Sequence, residues 1–166
     1  QKNIMLLSYG VAVAAGVFLG YSSSTTEAET ISCAGWNGFG QLCGGSSEFT
    51  QGWQEGRLPV AVVVSAAAGG MAYSGFSLVV DSEGRVWHSG YQLGSLASCV
   101  APSRVFLETA CTGVSAGTRH AVLLLETGGL VALGDDSFHQ CCVAIPEPVR
   151  EVSCGDVHTL MVTRSS

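Results

Sequence analysis

The feature that most constrains this chain is an internal repeat. Val114-Ser115-Ala116-Gly117-Thr118-Arg119-His120 returns as Val152-Ser153-Cys154-Gly155-Asp156-Val157-His158, a V-S-x-G-x-x-H frame followed each time by a short apolar run. A second pattern interleaves with it. Gly84-Arg85-Val86-Trp87-His88-Ser89-Gly90 and Gly128-Gly129-Leu130-Val131-Ala132-Leu133-Gly134 share their glycine spacing, and each follows an apolar run and a Glu-containing turn. Repeats of this size are single supersecondary units, which bury their apolar faces only by stacking on one another.

The runs inside the repeat are too short for helices and rich in β-branched residues. Val60–Val64, Ser77–Val80, Arg85–Trp87, Ala121–Leu125, Leu130–Leu133 and Thr159–Val162 therefore read as strands. With 22 glycines and only 4 prolines, turns punctuate the chain throughout. Nothing after Thr30 reads as a long helix, so residues 31–166 are predicted to be mainly β.

The N-terminus has a different texture. Ile4–Tyr21 is apolar or small at nearly every position, and no Asp, Glu, Lys, Arg or His occurs from Asn3 to Thr26. As a helix, such a stretch reaches roughly 27–30 Å, the thickness of a bilayer core. Ser8, Ala12, Gly16 and Gly20 would form one small-residue stripe on it, suited to docking against another membrane helix. Two other readings stay open: a secretory signal, with Lys2 before the run and Ser22–Ser24 after it, and a buried helix of a soluble protein. With Lys2 before the run and Glu27 and Glu29 after it, the positive-inside bias puts the N-terminus on the cytoplasm-like or matrix side.

Charge and chemistry exclude several functions. The net charge is −6 and Lys2 is the sole lysine, so the chain lacks the basic stripe that nucleic acid requires. No nucleophile elbow, phosphate-cradling loop or H-E-x-x-H occurs. The seven cysteines form no C-x-x-C pair, and histidine comes near them at ligand spacing only in His139, Cys141 and Cys142. No catalytic, cofactor or metal site is therefore predicted: Asp135, Asp136, Ser137 and His139 read as turn residues, and one or two disulfides would form only in an oxidising space.

Gly35-Trp36-Asn37-Gly38-Phe39-Gly40-Gln41-Leu42, taken with the two V-S-x-G-x-x-H frames, resembles the regulator of chromosome condensation repeats. Gly134-Asp135-Asp136-Ser137-Phe138-His139-Gln140-Cys141-Cys142 looks like a degraded copy of that turn, Gly90-Tyr91-Gln92-Leu93-Gly94 a shortened one, and Pro59-Val60 and Pro148-Val149 match the strand lead-in. The resemblance implies a β-propeller in which Gly35, Asn37, Phe39, Gln41, Gly117, His120, Gly155 and His158 are structural turn and packing residues. His139 stands where the family has glycine and reads as a surface substitution. Family propellers close with about seven blades, and this chain has residues for about two to three.

The expected architecture is thus mainly β: a partial β-propeller preceded by one transmembrane α-helix. Residues 1–21 form the helix, 22–30 a polar linker and 31–166 the repeat domain. Open blades leave strand edges uncovered, so companions are expected. The leading expectation is a non-catalytic accessory subunit of a membrane complex, of the mitochondrial respiratory chain or ATP synthase, with the repeat domain in the intermembrane space. It would contact other subunits through the helix and the open blade edges, and the lipid bilayer. A thylakoid complex, a membrane-anchored interaction module and an exchange factor for small GTPases are the alternatives.

Overall fold

The computed structural model describes residues 4–8, 31–48, 52–59, 62–71 and 73–164. Among the described residues, alternating apolar runs and glycine turns build four small sheets. In the first, β1 (Ile4–Ser8) runs parallel to β2 (Ile31–Gly35), and β3 (Gln54–Gly56) pairs antiparallel with β2. The second is a meander of β4 (Val63–Gly69), β5 (Phe76–Asp81), β6 (Val86–Gly90) and β7 (Cys99–Val105). β8 (Cys111–Ala116), β9 (His120–Leu125) and β10 (Leu130–Gly134) form the third, and β11 (Val149–Cys154) with β12 (Thr159–Thr163) the fourth.

The sheets stack in chain order. β4 and β5 pack against β8, and β8 and β9 pack against β11. β5 sits inside this stack and is buried along its whole length. Its Phe76, Leu78 and Val80 join Val86, Leu93, Ala121 and Leu123 in one core, while Val79 joins Ile31, Cys33, Leu42, Val63 and Ala66 in another. A strand between two sheets must be apolar on both faces, which is why β5 lacks the alternation of a half-exposed strand. Asp81, its last residue, is buried because it caps the β5–β6 turn. It accepts hydrogen bonds from the Glu83 and Arg85 amides, from Arg85 Nε at 2.7 Å and from Trp87 Nε1 at 3.1 Å.

The predicted helix is corrected at its start. Ile4–Ser8 is a strand, and its backbone groups pair with the ladder that β2 would otherwise leave open. Short apolar runs carry no periodicity that separates strand from helix. Ser8 therefore stands on a strand, whereas Ala12, Gly16, Gly20, the remainder of the expected span and the linker lie outside the described residues. Among the described residues no helix is long and apolar enough to cross a membrane.

Candidate functional site

The quoted turns prove to be one device used twice. In the first copy Asn37 is fully buried: its Oδ1 accepts the Leu42 amide at 3.0 Å, and its Nδ2 donates to the carbonyls of Ser46 and Glu48. Gln41 Oε1 accepts the Phe39 amide at 3.0 Å. In the second copy Asp136 Oδ1 accepts the Cys141 amide at 2.8 Å, and Gln140 Oε1 accepts the Phe138 amide at 2.9 Å. Each side chain bonds its own loop, so both turns are rigid without a regular ladder.

Both turns are pinned to the strand that follows the frame. Ser77 Oγ donates to the Gln41 carbonyl at 2.7 Å, and Thr159 Oγ1 donates to the Gln140 carbonyl at 2.8 Å. At the matching position behind the shortened Gly90–Gly94 turn stands Ala121. A hydroxyl thus occurs where a full turn presents a carbonyl and is absent where it does not.

The frame residues mark the joints between sheets. A side chain on Gly117 would collide with the Gly155 carbonyl and with the His120 ring, and one on Gly155 would collide with the His158 ring. Gly69 lies in the same way beneath Phe76 and against the Gly117 carbonyl. β4–β5 is therefore a third copy of the frame. Its histidine is replaced by phenylalanine and its loop lengthened, so the sequence pattern does not reveal it. Ser65 Oγ accepts the Val114 amide at 3.2 Å, and Ser115 Oγ accepts the Cys154 amide at 2.8 Å, which ties the second sheet to the third and the third to the fourth.

The histidines divide by environment. His120 is buried and its Nε2 lies 3.1 Å from Thr159 Oγ1. Since that hydroxyl gives its hydrogen to Gln140, it accepts from His120, which fixes the Nε2–H tautomer. Burial lowers the His120 pKa. His88 is also buried, with Nε2 3.0 Å from the Tyr91 carbonyl and Nδ1 3.3 Å from Cys99 Sγ, and burial again lowers its pKa. His158, the frame partner of His120, is exposed.

All seven cysteines are free. Burial pushes the thiols of Cys33 and Cys43 up to about 12, so these two are inert apolar filler, while burial and the neighbouring carboxylates push Cys141 up to about 11. Asp136, His139 and Cys142 form a different group. All are exposed, and one ligating atom from each lies within 4.8 Å of the others. The motif could have been found as D-x-x-H-x-x-C.

Two surfaces remain. Trp36, Phe39, Tyr73 and Tyr91 interlock edge to face, with ring centroids 4.9–5.6 Å apart, and Tyr73 is 75% exposed on the lengthened loop after β4. Tyr91 also lines a cleft of about 390 Å³ that holds Arg119, Asp135, Gln92 and Met71. The second surface is the outer face of the last sheet. Val122 of β9 is fully buried, yet its frame counterpart Leu160 of β12 is 64% exposed, and Val162 on the same strand and Val157 on the preceding loop are exposed too. Ser153, counterpart of the tying Ser115, is exposed as well.

No protein-family model and no curated protein sequence matches the chain. Solved structures do. Prp20p from Saccharomyces cerevisiae matches with a TM-score of 0.64 and 19% identity over 79% of this chain and 39% of its own. Yeast RCC1 (Prp20) bound to Kap60 gives 0.64 and 18% over 79% and 38%, and human WBSCR16 gives 0.56 and 25% over 67% and 35%. The likeness establishes an RCC1-like β-propeller fold, present here in part. The chain spans less than two fifths of the length of these structures.

Proposed function

We propose that this chain is a non-catalytic protein-interaction module built from RCC1-like blades. The carrying observation is the contrast between Val122 and Leu160: one frame position is sealed by the next sheet in β9 and open in β12. A sheet face with Leu160 and Val162 uncovered, and Val157 exposed on the loop that leads into it, is stabilised by a companion surface at about 25 cal/mol per Å² of apolar area buried. The natural companion is another blade, on this or a different polypeptide, which would find at Ser153 and Gly155 the groups that join the earlier sheets.

The aromatic ledge offers a second contact. Tyr and Trp rings held rigidly by their neighbours supply binding area at low entropic cost, and such rings dominate binding hot spots. Prp20p has been characterised for binding to Gsp1p and histones, which supports protein rather than small-molecule partners for this fold. The narrower reading, an accessory subunit of a mitochondrial membrane complex, rests on the apolar run that continues past β1 and on the uncovered sheet. A photo-crosslinking residue at position 73 or 160, followed by mass spectrometry, tests the proposal. Protein adducts lost in Trp36→Ala or Leu160→Glu support it, and crosslinks confined to the chain's own residues overturn it.

A further inference from the structure

The two full turns share one backbone plan, yet differ at five of nine positions. Where the first copy has Asn37, Gly40 and a buried Cys43, the second has Asp136, His139 and an exposed Cys142. The plan brings these positions together: Cys43 and Cys142 donate their amides to the carbonyls of Gly40 and His139, and the amides of Gly40 and His139 donate to the carbonyls of Asn37 and Asp136. In the first copy the convergence holds an amide, a glycine and a buried thiol. In the second it holds a carboxylate, an imidazole and an exposed thiol.

The geometry points to a zinc site at this turn, formed by Asp136, His139 and Cys142. The ligating atoms lie within 4.8 Å of one another, and Cys142 Sγ is 3.9 Å from His139 Nδ1. Ligands about 2.0–2.3 Å from a tetrahedral zinc sit roughly 3.3–3.7 Å apart, so small side-chain rotations close the site. Asp136 Oδ1 accepts the Cys141 amide, which orients the carboxylate and leaves Oδ2 as the oxygen to ligate. A mixed oxygen, nitrogen and sulfur set suits zinc, whereas calcium and magnesium take oxygen ligands. Three protein ligands leave the fourth position to water or to a donor from a bound partner. On binding, the Cys142 thiol loses its proton to solvent and the thiolate sulfur bonds the metal.

His139 adds to the case. It adopts φ 60°, at the position where the first turn has Gly40 at φ 77°. The ring of a histidine held there at a backbone cost faces the Cys142 thiol at 3.9 Å, and metal ligation gives both side chains a role.

The test is a cobalt(II) titration of the full chain under reducing conditions, with cobalt as the spectroscopic stand-in for zinc. The expected result is a saturating thiolate-to-cobalt charge-transfer band, displaced by zinc and abolished in Cys142→Ser and His139→Gly. Asp136→Asn and His139→Gly install the residues of the sister turn, so both variants keep a proven turn sequence. His139→Gly should melt higher than the wild type without metal and gain nothing from zinc. Absence of the band, or its survival in both Cys142→Ser and His139→Gly, overturns the site.

Discussion

His120 Nε2 donates to Thr159 Oγ1, 3.1 Å away on the neighbouring sheet, and that hydroxyl passes its own hydrogen to the Gln140 carbonyl. Two sheets and one turn are thereby joined through a single oxygen. Thr159→Val keeps the shape and removes the oxygen, leaving a buried imidazole N–H without its acceptor. A loss of about 1–3 kcal/mol is expected in chemical denaturation, because an unsatisfied buried donor forfeits its desolvation cost. Ser77→Ala, which strands the Gln41 carbonyl in the same way, should fall in the same range.

Acid should weaken the fold in two steps. Burial depresses the pKa of His88 and His120, so the folded state binds fewer protons than the unfolded one between their folded values and about 6.5. The stability tied to neutral imidazole is complete above about pH 6.5, declines as pH falls from there toward the depressed values, and levels off below them. Asp81 contributes further down. Burial opposes its ionisation, but hydrogen bonds from Arg85, Trp87 and the turn amides outweigh burial and hold its pKa below the usual range. Its contribution is present above about pH 4 and fades below that. Melting temperature followed against pH checks both steps, and His120→Gln should flatten the upper one.

Gly117 is where two sheets come closest. Gly117→Ala drives a methyl into the Gly155 carbonyl and the His120 ring, so backbone or ring must shift to admit it. We expect a loss of about 1–3 kcal/mol or more, as overpacking of a tight joint gives. Gly113→Ala serves as the control, since a methyl there meets only Leu124 at ordinary contact distance.

Glycine spacing and β-branched runs made β5, β6, β9, β10 and β12 legible, because an apolar strand between turns leaves a clear trace. β7 left none: it is an edge strand with exposed polar residues and Pro102, where pairing shifts register. β4 was expected at Val60–Val64 and instead runs Val63–Gly69 through Ala66, Ala67 and Ala68, whose small side chains suit a close sheet joint and not a hydrophobic pattern. The hydroxyl pins at Ser77 and Thr159 were illegible because their acceptors are distant carbonyls. The trio of Asp136, His139 and Cys142 was hidden by Cys141, whose thiol turns inward toward the Leu133 and Asp135 carbonyls.

The aromatic ledge depends on Tyr73, a non-glycine residue at φ 68°. Tyr73→Gly should relieve about 1 kcal/mol of backbone strain while removing an exposed ring. Stability is therefore expected to hold or rise while partner capture falls, a split that crosslinking yield and thermal melting read together.

Sedimentation velocity of the full chain at micromolar concentration, alongside Leu160→Glu, bears most directly on the uncovered β12 face. Assembly of the wild type with itself or with a co-purifying protein, reduced to a folded monomer by Leu160→Glu, is the predicted result. A wild-type chain that sediments alone as a stable monomer, indistinguishable from the variant, would contradict the claim that this face is built to be covered.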